Sequence, residues 1–223
     1  MTHQEALKRL QEGNRRFVAD AAVYPRLDRE RREEVRKEGQ NPYATILACS
    51  DSRVPVEHIF DKGMGDLFTL RVAGNICDSS QIATVEFGIL ELGIPLVVVL
   101  GHDDCGAVKA AYDKVEVEGH LLRLVRQIHP TIEAVQGEHP HASRDEMIPR
   151  IINANVFQTI EGLLTGSNLI ADSVRKKKVR IMGAIFDIAS GKVTWLGDHP
   201  DQKSYLKSNK TPFRFNFKRQ KED

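Results

Sequence analysis

Ala44-Thr-Ile-Leu-Ala-Cys-Ser-Asp-Ser-Arg53 runs from an apolar stretch straight into residues able to hold and control a metal: Cys49, Asp51, Ser52 and Arg53. Thr45, Ile46 and Leu47 are β-formers in a short apolar run, the pattern of a buried strand, and Val54-Pro55 starts a new element at once. Cys49 therefore falls at the end of a strand. A second apolar run, Pro95-Leu-Val-Val-Val-Leu100, leads into Gly101-His-Asp-Asp-Cys-Gly-Ala-Val108, where another strand gives way to a helix. Two strand ends thus carry Cys49, His102 and Cys105. Two thiolates and an imidazole suit zinc, and three protein ligands leave one tetrahedral position open, the arrangement of a catalytic rather than a structural site. Asp51 is the side chain expected to contest that position. Cys77, the third cysteine, follows no such motif and is read as a packing residue.

Cys49-Ser-Asp-Ser-Arg53 together with His102-x-x-Cys105-Gly106 resembles the β-class carbonic anhydrases. The resemblance extends to Gly65-Asp-Leu-Phe-Thr-Leu-Arg71-Val-Ala-Gly-Asn75, Val85-Glu-Phe87 and Gly183-Ala-Ile-Phe-Asp187, and covers roughly residues 5–200. It implies zinc on Cys49, His102 and Cys105, with Asp51 paired to Arg53 in an active form and ligating the metal in a resting form. The implied reaction is reversible hydration of carbon dioxide to bicarbonate and a proton by attack of zinc-bound hydroxide, in a homodimer or homotetramer. Ser52, Gly74, Asn75 and Gly106 are expected around the substrate, Gly106 through close backbone approach and Gly74 with Asn75 as the wall of a cleft. Two thiolates and a neutral imidazole cancel the charge of the metal, so activity should climb toward alkaline pH.

The ligand set alone does not separate this reaction from hydrolysis of carbonyl sulfide or carbon disulfide, which relatives with the same zinc motif perform. A non-catalytic zinc-binding protein of the same fold is the third reading, and would be favoured by a fourth permanent protein ligand. This sequence also departs from the family pattern. Asp103 stands where many relatives have Thr or Ser after the metal histidine, and is expected to add acidity, face solvent or bind an Arg. Gln81 is at the wrong spacing from Glu86 to match the substrate-side Gln of plant-type members. Some members close on bicarbonate bound at a second pocket built from Trp, Arg and Tyr; the matching positions here are Ile46, Arg71 and Phe186. Ile46 and Phe186 cannot donate the hydrogen bonds an anion leaving water must recover. No such closure is expected, and Arg71 is expected on a structural carboxylate, Glu86 or Asp66.

The 223 residues, 41% of them hydrophobic, suffice for one domain, read as residues 1–223 with an N-terminal helical arm over about 1–40 and a basic tail over about 203–223. A formal net charge of +1 gives no electrostatic reason to expect nucleic acid or an acidic membrane as partner. Three cysteines, two of them in metal motifs, make no disulfide framework. The chain opens without an apolar signal segment and no apolar run approaches spanning length, so the cytoplasm is the expected location.

The elements expected around the two motifs alternate as an α/β fold requires: a mostly parallel central sheet flanked by helices, with the metal at the carboxyl ends of the strands. Thr2 and Glu5 form a capping box for an amphipathic helix through Phe17, packed on a neighbouring subunit or on its own domain. Residues 26–37 read as a solvated, charge-alternating helix. A helix capped by Ser79-Ser80 runs to Leu92 and, with apolar residues all round, should be buried. Residues 121–132 mark one helical face and 137–141 a surface loop. Residues 179–188 form a buried strand turning by a hairpin into an antiparallel edge over 192–196. Phe213, Phe215 and Phe217 alternate with polar residues in the tail, as a strand laid on a partner would.

Overall fold

The computed structural model describes residues 1–208; the alternating phenylalanines of the tail lie outside them. Five strands, β1 (Ala44–Ala48), β2 (Leu67–Arg71), β3 (Leu96–His102), β4 (Arg180–Phe186) and β5 (Val193–Gly197), form one sheet in the order β2-β1-β3-β4-β5. The first four run parallel and β5 pairs antiparallel with β4, the edge expected from the hairpin. Every residue of β1 and β3 is buried, as strands covered on both faces must be. Alternation divides them between two layers: Ile46, Val98 and Leu100 face one apolar cluster, Leu47, Val97 and Val99 the other.

The first layer is closed by α1 (His3–Val18) and the short α3 (Val56–Ile59), with α2 (Arg29–Glu38) carrying no buried residue. Thr2 and Glu5 make the expected capping box, and Ala6 and Leu10 are fully buried against the chain's own sheet. The second layer comprises α4 (Ser79–Leu90), α8 (Arg144–Gly166), α9 (Asn168–Arg175) and α10 (Gln202–Ser208). Between strand and long helix lie α5 (Gly106–Tyr112), α6 (Gly119–Arg126) and α7 (His129–Glu138).

Four expectations are corrected. Helix α4 is capped by Asp78, whose carboxylate accepts from Ser80 N while Gln81 accepts in turn from Asp78 N, and it is only half-buried: Phe87 is 47% and Leu90 52% exposed. The face over 121–132 is two helices, because Pro130 lacks the N–H a continuing helix would use and instead opens α7. Gly137 and Glu138 belong to the last turn of α7, leaving a shorter loop. The start of the basic tail is helix α10, docked by Tyr205 Oη donating to Glu161 and by Arg175 donating to the Leu206 carbonyl.

Where α1 crosses the turn after α3, Gly13 has no room for a side chain: a Cβ there would lie 1.7 Å from the Phe60 carbonyl oxygen. Helix propensity favours Ala over Gly by about 1 kcal/mol. The clash is with backbone, which cannot step aside as a flexible side chain would, so overpacking of about 1–3 kcal/mol should prevail. Gly13→Ala is expected to lower the urea midpoint at unchanged slope; a raised midpoint would contradict this packing.

Candidate metal centre

Strand register brings the three ligand residues together. Ala48 lies level with Leu100 on the neighbouring β3, so Cys49, one residue beyond β1, and His102, the last residue of β3, leave the sheet at the same edge. The chain turns through Asp103 and Asp104, the latter at a φ of 55°, a left-handed conformation that Asp tolerates, and Cys105 then precedes the first turn of α5. The Cys49 and Cys105 sulfurs are 4.0 Å apart, and with a ring nitrogen of His102 the donor atoms all lie within 4.8 Å of one another. Cys49, His102 and Cys105 are 4%, 0% and 1% exposed.

Zinc–sulfur bonds of ~2.3 Å in a tetrahedron set two sulfurs roughly 3.8 Å apart, close to the separation found. His102 Nδ1 donates to the Asp103 carbonyl at 2.7 Å, which leaves Nε2 carrying the lone pair. Nε2 is buried with no hydrogen-bond partner among the described residues, although an unsatisfied buried nitrogen costs about 1–3 kcal/mol. A metal ion held beside both sulfurs would satisfy it. The facing Cys105 thiol, with His102 and the Gly74 N–H, holds Cys49 well below the ordinary thiol range despite burial; the same proximity and burial push Cys105 up. Burial lowers the affinity of His102 for a proton, but the neighbouring Cys49 thiolate more than offsets it. Protons and metal therefore compete for one set of lone pairs.

Asp51 stands next to this group, its Oδ2 4.0 Å from His102 Nε2. Arg53 donates to it from Nε at 3.0 Å and Nη2 at 2.8 Å, and the Arg53 backbone N–H adds a third bond at 3.0 Å. The guanidinium holds the Asp51 carboxyl well below the usual carboxylate range, so Asp51 is ionised at neutral pH. The expected pair thus exists, with the carboxylate turned to Arg53.

Backbone, not a carboxylate, holds Arg71. Its Nε donates to the Cys49 carbonyl at 3.1 Å and its Nη2 to the Asp51 carbonyl, pinning the ligand loop from β2. Asp66 and Glu86, expected to hold it, instead accept from Arg26 and from Ser167 Oγ. Asp103 accepts from Ile188 N at 2.7 Å and ties its loop to the end of β4; the Arg contact falls to Asp104. Gly74, at a φ of 70° and with Ile128 Cδ1 3.0 Å from where a Cβ would lie, donates its N–H to Cys49 Sγ at 3.2 Å. It belongs to the thiolate's surroundings. Asn155 and Thr159 of α8 donate to the Gly74 and Asn75 carbonyls at 2.7 and 2.9 Å, and Asn75 is itself 3% exposed. Ser52 is exposed beside the Asp51–Arg53 pair. Gly106 is exposed too, with nothing within 4 Å of a Cβ built there, so no close approach within this chain explains it. Arg71, Asp104 and Asn155 were not legible as site residues, because each acts through a partner distant in sequence.

Residues 44–193 match the sequence profile of the family described as carbonic anhydrase. The chain belongs to the carbonic anhydrase family. It is 38% identical over 201 residues to the carbonic anhydrase of Mycolicibacterium smegmatis, covering 86% of this chain and 94% of that one. Identity to carbonic anhydrase 2 of Mycobacterium tuberculosis is 36% over 199 residues, 87% and 92% of the two chains. Among solved structures, the β-carbonic anhydrase CafA of Aspergillus fumigatus superposes with a TM-score of 0.73 at 28% identity, over 94% of this chain and 99% of that one. The tetrameric β-carbonic anhydrases of Sordaria macrospora include one at TM-score 0.65 and 27% identity, over 72% and 83%. The fold is thus that of a β-class carbonic anhydrase chain.

If the three donors hold one ion, Cys105→Ser should leave the purified protein without stoichiometric metal, since a hydroxyl is a poor substitute for a thiolate. Elemental analysis checks this, with circular dichroism to verify folding. Full metal occupancy in the folded variant would refute the ligand assignment.

Proposed function

We propose that this chain catalyses the reversible hydration of carbon dioxide to bicarbonate and a proton, with zinc held by Cys49, His102 and Cys105. One observation carries the reading: a partnerless buried Nε2 on His102, two sulfurs beside it, and an ionised carboxylate on Asp51 drawn aside by Arg53. Family membership supports the reaction. When bound, zinc acidifies a water molecule and stabilises the negative charge that develops on oxygen.

The chain's own residues supply the rest. An ionised Asp51 can only accept hydrogen bonds, so a water that reaches Oδ2 must donate to it, which aims a lone pair away from Asp51 and toward the carbon of the substrate. Arg53 keeps that carboxylate from becoming a ligand itself. Arg71 and the Gly74 N–H fix the Cys49 loop, and the Asp103 carbonyl fixes the His102 tautomer. Among the described residues the donor group has three members, so it lacks the fourth permanent ligand of a non-catalytic zinc protein.

The assembly proposed is a homodimer or homotetramer. Strand β2 lies at the edge of the sheet, and beside it Phe68 stacks on Phe87 at 6.1 Å while Phe87 and Leu90 face outward, an apolar surface suited to a second copy. All three cysteines are free, and no described helix is long and apolar enough to cross a membrane. A reducing compartment, the cytoplasm, suits the thiols.

Stopped-flow measurement of carbon dioxide hydration is expected to show activity lost on chelation and restored by zinc; absence of zinc-dependent hydration would refute the reading. Arg53→Ala should keep zinc yet lose on the order of a hundredfold in kcat as Asp51 closes on the metal. An undiminished kcat in that variant would remove the pair from the mechanism. In sedimentation, Leu90→Lys should shift the protein toward the monomer; an unchanged oligomer would place the interface elsewhere.

A further inference from the structure

The Asp51–Arg53 pair does not stand alone. Arg53 also donates from Nη1 to Asp104 Oδ2 at 3.1 Å and from Nη2 to the Asp104 carbonyl at 3.2 Å, while the other carboxylate oxygen of Asp104 accepts from Lys109 Nζ in α5. The guanidinium is therefore gripped from both sides, by Asp51 along one edge and by Asp104 along the other. A left-handed φ at Asp104 accompanies this double contact from backbone and side chain. We propose that Asp104, tethered by Lys109, is a positioning residue that latches Arg53 onto Asp51 and so sets the balance between an open metal position and one closed by Asp51. The inference rests on the zinc-site reading above and concerns how that site is regulated.

The geometry explains why a second grip matters. Asp51 Oδ2 is 4.0 Å from His102 Nε2, so a small swing would bring the carboxylate within reach of an ion held there. Arg53 is a long side chain, 44% exposed, and one partner leaves it free to drift toward solvent and release Asp51. Asp104 removes that freedom without touching the reacting groups. Its loop is fixed independently by Asp103, bonded to Ile188 N, and by the start of α5, so the latch is anchored on rigid elements while the group it controls is on an exposed loop. Exposed ion pairs of this kind are individually weak, which limits the effect to a shift of about two- to fivefold in the ratio of open to closed forms. A shift of that size tunes the enzyme without abolishing it.

The test uses full-length protein loaded with cobalt(II), whose visible spectrum reports whether a carboxylate has joined the coordination sphere, together with kcat of the zinc forms at one fixed pH. Four variants are compared: Asp104→Gly, which keeps the left-handed backbone; Asp104→Asn, which keeps an acceptor oxygen; Arg53→Ala; and the double variant Arg53→Ala/Asp104→Gly. The Asp104→Gly spectrum should move part of the way toward that of Arg53→Ala, with stoichiometric metal and with kcat lower by no more than the same roughly two- to fivefold factor. Asp104→Asn should fall between it and the parent. Because the latch acts only through Arg53, Asp104→Gly should change nothing further in the Arg53→Ala background. A parental spectrum in Asp104→Gly, or equal effects with and without Arg53, would overturn the proposal. A spectral shift in protein that does not hydrate carbon dioxide would support the latch while refuting the functional reading.

Discussion

Two buried thiols and an imidazole within reach of one ion are the constraint on which this structure turns. Sulfurs 4.0 Å apart cannot both ionise in the protein interior unless a cation lies between them. Two thiolates and a neutral imidazole balance the charge of a divalent metal, so the group that would be hardest to bury as anions becomes neutral once occupied. His102 Nε2, without a hydrogen-bond partner among the described residues, offers a third donor to such an ion.

The fold meets that demand with strand ends. Parallel pairing of β1 and β3 sets Cys49 and His102 side by side, and helix α5 begins where Cys105 is needed. Around them the bonds run mostly through backbone: Arg71 to two carbonyls, Gly74 to sulfur, Asp103 accepting from His102 and from Ile188 N, Asn155 to the Gly74 carbonyl. Such bonds leave side-chain identity elsewhere free while holding ligand positions closely. Asp51 and Arg53 are treated differently. Their pair is partly exposed and rests on an ion pair, which suits the movement proposed for Asp51.

What could be read from the sequence followed from local chemistry. The apolar runs before Cys49 and His102 announced buried strands, and ligand type with strand-end placement announced the metal group, because both signals lie within a few residues. Helix α4 departs from the expectation for a physical reason: apolar residues all round its axis call for burial, but this chain alone leaves Phe87 and Leu90 exposed, and an apolar pattern is the same whichever chain covers it. Charge alone points Arg71 to Glu86 or Asp66, whereas the backbone carbonyls that hold it carry no signature in sequence. The break between α6 and α7 is marked by Pro130, but the apolar face runs on across it. Asp104 sits 51 positions from Arg53, and only the folded chain shows that the two meet.

Zinc K-edge X-ray absorption on the purified, zinc-loaded protein addresses the central claim most directly, since it counts donor types without reference to activity. The account predicts two sulfurs at about 2.3 Å, one imidazole nitrogen at about 2.0–2.1 Å and one further light-atom donor. A third sulfur, a second imidazole, or a single sulfur would contradict it.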